Sequence, residues 1–199
     1  MKTIATTVLM AGIATMFVTS SLGGENAAPL VKRLQSPQNP AQETVLVGRA
    51  SAGDMIVQLE LEPAKGMWMR MGTPADWGLH GVAPGELYHV EVKPIDPKSK
   101  TRIPDAPVHF VAVNITNGGK VDGDLHAMWG GSGLHYAFNS GLAGDGSYEA
   151  IVTIGVPTFA RSPNDADLWM EPTTATFHFV LTDGKLTEVS EPVELTKLN

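Results

Sequence analysis

Turn signals fall so close together in this chain that little but strands fits between them. Asp96-Pro97, Asn117-Gly-Gly119, Gly130–Gly133, Gly144-Asp-Gly146 and Asp183-Gly184 punctuate it, and the runs between them are rich in β-branched and aromatic residues. No apolar repeat of 3.6 residues persists long enough for an amphipathic helix. The strands expected are Asp54–Glu62, Gly66–Met71, Glu86–Asp96, Val108–Asn117, Gly123–Trp129, Leu134–Ser140, Ser147–Ile154, Thr174–Thr182 and Glu188–Leu195. Many strands joined by short turns predict an all-β domain, an antiparallel β-sandwich, with a closed barrel as the alternative. Val108–Ile115 is nearly all apolar, which predicts a central strand buried on both faces.

The 199 residues are enough for one domain with a full core. Lys2, the uncharged and mainly apolar run Ile4–Val18, and the small residues Ser21 and Gly23 predict a signal peptide over residues 1–23, and hence export. Residues 24–50 open with the Pro-, Gln-, Asn- and Ala-rich stretch Glu25–Ala41, which reads as a linker, and make up a linker or N-terminal segment ahead of the domain, 51–199. With no cysteine, the chain has neither disulfides nor thiolate chemistry. Any metal must be held by histidine, methionine and carboxylates. A net charge of −7 without a basic patch argues against nucleic acid as a partner. No nucleophile elbow and no phosphate-cradling loop is present, so a binding protein is expected rather than an enzyme.

The chemistry gathers around one glycine-rich turn. If Gly130–Gly133 is the loop of a hairpin, Trp129 pairs with Leu134, and Met128 lies opposite His135 on one face of the sheet. His126 falls on that face two residues away. A thioether and two imidazoles in one place suit a transition metal. Glu86–Asp96 alternates, with Tyr88, Val90 and Val92 as the core face, so His89 and Glu91 are neighbours on the polar face. Met67-Trp-Met-Arg-Met71 aligns three methionines on one side of a strand, either as core filling or as soft ligands for copper(I), with Trp68 turned to solvent or a partner. His109 and His178 read as structural, and His80 has no assigned place.

The order of these residues resembles a known family. His89-Val-Glu91, Met128, Gly133-Leu-His-Tyr136, Gly146-Ser-Tyr-Glu149, Val156-Pro-Thr-Phe-Ala-Arg161 and Leu168-Trp-Met-Glu-Pro172 are similar in order and spacing to the FetP-like periplasmic iron-transport-associated proteins. The resemblance spans about Met55 to Leu181. It implies an immunoglobulin-like β-sandwich, a homodimer, and a periplasmic protein that binds copper and, more weakly, iron or manganese beside an inner-membrane iron permease. By motif it assigns the metal to His89, Met128 and His135, with Glu91 at a second or alternative position. The family's further histidine after the Arg161 motif is absent, because Ser162-Pro163 follows here. His126, Asp165 and Asp167 are the residues that could compensate. Two other readings stand beside this one: a structural or adhesive sandwich without metal, and a copper-dependent ferrous oxidase. Neutral imidazoles are needed for binding, so affinity is expected to fall below about pH 6.

Overall fold

Alternation governs the strands: one parity of side chains packs inward and the other faces outward. The computed structural model describes residues 31–72 and 76–195. The expected signal peptide, 1–23, and the start of the expected linker lie outside the described residues. Ten strands form a single antiparallel sheet in the order β1-β12-β11-β10-β7-β8-β9-β6-β3-β2. These are β1 (Val31–Gln38), β2 (Val45–Ala52), β3 (Met55–Pro63), β6 (Tyr88–Ile95), β7 (Val108–Asn114), β8 (Lys120–Gly130), β9 (Gly133–Ser140), β10 (Gly146–Ile154), β11 (Thr173–Thr182) and β12 (Lys185–Ser190). A separate hairpin pairs β4 (Met67–Arg70) with β5 (Trp77–His80). The described residues hold no α-helix, and a 3-10 turn covers Pro163–Asp165. The all-β, antiparallel expectation holds.

The sheet bends at β8. Residues Lys120–Leu125 of that strand pair with β7, whereas His126–Gly130 pair with β9. The bend brings β2 against β11 and β12, so the two halves enclose one apolar core. Tyr148 stacks on Phe179 there, with ring centroids 4.7 Å apart. The Tyr136 hydroxyl donates to the Ile103 carbonyl at 3.0 Å and accepts from the Ala106 amide at 3.1 Å, which satisfies a buried phenol. Gly48 makes the closure possible. A Cβ at that position would stand 2.8 Å from Ser190 Cβ and 3.1 Å from a Phe177 ring carbon.

Two expectations are corrected. Residues 31–50 are not a linker: β2 lays Val45 and Val47 into the core, and β1 pairs along β12 at the sheet edge. An edge strand is held by backbone hydrogen bonds, so β1 tolerates the polar composition and the proline that suggest a linker. Nor is β7 buried on both faces. Val108, Phe110 and Ala112 point inward, but Val113 is 36% exposed. An outward β-branched residue favours the extended backbone without needing burial.

Candidate metal centre

The outward parity of the second half-sheet is polar, and most of it is buried. In β6 this row is His89, Glu91 and Lys93; in β9 it is His135, Ala137 and Asn139. Register sets the neighbours. Glu62 of β3 faces His89, which faces Asn139; Glu60 faces Glu91, which faces Ala137, which faces His126 of β8. Met128 faces His135, the pairing the glycine-rich turn predicts. His89 is 0% exposed, Glu91 2% and His135 1%. A potential ligand atom from each of these three lies within 4.8 Å of those of the other two. The small Ala137 lies between His135 and Asn139 on this face of β9. The His89 and His135 rings stand edge to face, with centroids 6.0 Å apart.

Hydrogen bonding fixes which nitrogen of each ring is bare. His135 Nδ1 lies 2.9 Å from the Gly133 carbonyl, which can only accept, so Nδ1 carries the proton. Asn139 donates its amide nitrogen to the Lys65 carbonyl at 2.9 Å and to Glu86 Oε2 at 3.3 Å. Its oxygen therefore accepts from His89 Nδ1, at 2.9 Å. With Nδ1 so engaged, the Nε2 atom of each neutral ring is the free acceptor, and both Nε2 atoms are buried without any hydrogen-bond partner. Such orphaned acceptors are costly in a dry interior. An imidazole anchored through Nδ1 with a bare Nε2 is the arrangement of a metal-ligating histidine.

Local geometry serves the rings. Gly133, at φ +83°, takes the left-handed conformation that ends the turn. Gly130 lacks a Cβ where one would come within 3.1 Å of His135 Cε1, so the ring lies across the glycine.

Charge is compensated around the pair. Burial drives the His89 pKa down, to about 4, against the hydrogen bond to Asn139, so the ring is neutral. Burial also works to raise Glu91. The hydrogen bond shared with Glu62 and the Lys93 ammonium outweigh it and bring Glu91 down to about 2. Burial raises Glu62, which shares that hydrogen bond. Glu91 Oε1 accepts from Ser132 Oγ at 2.9 Å and pairs with Lys93 Nζ at 2.6 Å; Lys93 also pairs with Glu60. Glu62 Oε1 lies 3.9 Å from His89 Nε2. Two imidazoles beside a thioether suit copper, and carboxylates at the margin add donors for a harder cation. A cavity of about 940 Å³ between β4 and the β8–β9 hairpin is lined by His126, Met128 and His135 and gives access to this side of the centre.

The other candidates lie apart from this group. His126 shares the outward face but is exposed and lies beyond Ala137 from Glu91. Asp165 and Asp167 are not brought to the centre. Their loop packs by way of Trp169, whose indole nitrogen donates to the Asp54 carbonyl at 3.4 Å. Asp54 adjoins the start of β3, and Glu62 is near its other end. Sequence reasoning missed Glu62, Ser132 and Asn139, whereas the alternation of β6 already puts Lys93 on the face of His89 and Glu91. Only Glu62 left a signal, since Gln58-x-Glu60-x-Glu62 is a polar parity in an otherwise apolar strand.

The chain shares its fold with FetP and P19. FetP of uropathogenic Escherichia coli strain F11, recombinantly expressed in the periplasm of E. coli, superposes with a TM-score of 0.55 at 18% identity, over 70% of this chain and 97% of its own. Copper-reconstituted P19 of Campylobacter jejuni gives 0.55 at 19% identity, over 74% and 99%. A copper-bound variant of the same P19 gives 0.54 at 20%, over 70% and 97%. At these identities the likeness establishes the fold. No family model and no curated protein matches the sequence.

Proposed function

We propose that this chain is an exported, periplasmic metal-binding protein, an immunoglobulin-like sandwich that binds copper through His89, Met128 and His135, with Glu91 beside them. The observation that carries this reading is the buried cluster of His89, Glu91 and His135, in which neither Nε2 atom has a hydrogen-bond partner. The copper-bound state of the P19 structures with this fold supports the choice of metal. Glu91 and Glu62 offer oxygen donors, through which the same centre would take ferrous iron or manganese more weakly. In this reading the protein serves high-affinity iron uptake beside an inner-membrane permease, as a carrier and not as an enzyme. It works as a homodimer: Trp68, Trp77 and Trp129, all exposed around the large cavity, offer aromatic anchors to a second subunit.

Titration of the purified protein with copper, Fe(II) and Mn(II), followed by elemental analysis, tests the proposal. One tightly held copper per chain is expected. Losing an outer-shell partner alone costs about 10–100-fold in affinity, so His135→Gln, which removes a ligand, should cost more than about 100-fold. Copper held equally well by His135→Gln would sink the assignment.

A further inference from the structure

Six histidines occur in the chain, and four are accounted for. His89 and His135 form the buried pair. His109 sits between Asp122 at 3.1 Å and Asp124 at 2.8 Å, and His178 lies 4.0 Å from Glu149. His80 and His126 differ: neither ring makes a hydrogen bond or an ion pair with the described residues. Both line one cavity of about 420 Å³, and Met67 and Met69 line it with them.

The placement follows from strand geometry. Met67 is directly opposite His80 in the β4–β5 pairing, which puts their Cβ atoms about 5 Å apart on one face. Met69 is two residues along the same strand and therefore on that face too. His126 comes from β8, on the other side of the cavity. Met67 is buried and Met69 half-buried, whereas Trp68, of opposite parity, is exposed. Apolar packing explains the two methionines. It does not explain why both unpartnered imidazoles stand in the same wall. The lining also includes Arg70, Glu86 and Asp124, one cationic side chain against two carboxylates.

We propose that Met67, Met69, His80 and His126 form a second metal site, specific for a soft monovalent cation of the copper(I) type. Two thioethers and two imidazoles make a soft donor set that hard divalent cations do not favour. Met67, Met69 and His126 also line the larger cavity that reaches Met128 and His135, so the site stands on the approach to the buried pair. The proposal rests on the reading of the protein as a copper binder, but none of its four ligands belongs to the first centre.

Silver(I), which is soft, monovalent and redox-inert, is the probe, in chloride-free buffer with methyl-13C-methionine protein. Wild type is expected to bind two equivalents. The Met67 and Met69 methyl resonances should shift, while Met55 and Met170 serve as unmoved references. Met67→Leu/Met69→Leu, a nearly volume-conserving change, should bind one equivalent fewer, and so should His80→Gln/His126→Gln. Unmoved Met67 and Met69 methyls at saturating silver would overturn the proposal, and that measurement needs no variant to fold. So would full stoichiometry in a folded Met67→Leu/Met69→Leu protein. The two sites fail separately. If Met128→Leu/His135→Gln keeps both equivalents while Met67→Leu/Met69→Leu loses one, the first centre is wrong and the second stands.

Discussion

Burial sets the protonation of His89, and stability must follow. Its pKa is about 4 in the folded chain against an ordinary value of 6.5. Below pH 6.5 the unfolded chain takes up a proton that the folded chain refuses, so the unfolded state gains. The metal-free protein should therefore lose stability as pH falls from about 6.5 to 4, by up to about 3 kcal/mol, with no further loss from this group below that. Glu91 acts in a lower window. Its pKa is depressed from 4.5 to about 2, so its contribution is complete above 4.5 and is lost between there and 2. Urea denaturation of wild type and His89→Gln across pH 7 to 3 separates the two. The variant should lose only the upper slope, and identical slopes above pH 4.5 would refute the assignment. Protons compete for His89 only near pH 4, lower than the pH 6 expected of an ordinary imidazole. That difference was illegible in the sequence, because alternation says which way His89 points but not how deeply it is covered.

Among the elements, the β8–β9 hairpin depends most on its glycines. Gly130→Ala keeps an accessible backbone but sets a methyl 3.1 Å from His135 Cε1. The ring must turn, and its ligand nitrogen moves away from His89 and Glu91. We expect copper affinity to fall about 10-fold, the loss typical of a disturbed ligand orientation, with the urea midpoint nearly unchanged. A competition titration giving wild-type affinity would show that the ring can give way. This hairpin was legible in the sequence, since a glycine-rich turn fixes register and register brings Met128 opposite His135. The phase of β6 was legible for the same reason of period. What period could not supply was pairing between distant strands. Glu62 reaches His89 only because β3 lies beside β6, and Asn139 orients the same ring only because β9 lies on its other side. The β1 and β2 strands were hidden by composition, and the loop of Asp165 and Asp167 goes elsewhere because Trp169 anchors it to Asp54.

The whole molecule closes where β2 meets β11 and β12, and Gly48 lies there against Ser190 and Phe177. A side chain there meets Ser190 Cβ and the Phe177 ring, neither of which can retreat without moving the core. Gly48→Val should cost about 1–3 kcal/mol, in the range of an overpacked core, and lower the melting temperature. Copper stoichiometry should stay intact, because β2 carries no ligand. A variant as stable as wild type would mean that the two halves are held less tightly than their packing suggests.

The same strands that build the interior carry the polar row on their other face, and the two are separated only by odd and even position. A substitution in the row, at Glu91 or His135, leaves every inward side chain in place, so the chain could exchange one ligand chemistry for another without rebuilding its core. A one-residue insertion within β6 or β9 is a different event. It would reverse the parity beyond it, sending Val90 or Tyr136 outward and charged groups into the interior. Descendants of this sequence can therefore change the outward letters of these strands more readily than the strands' length.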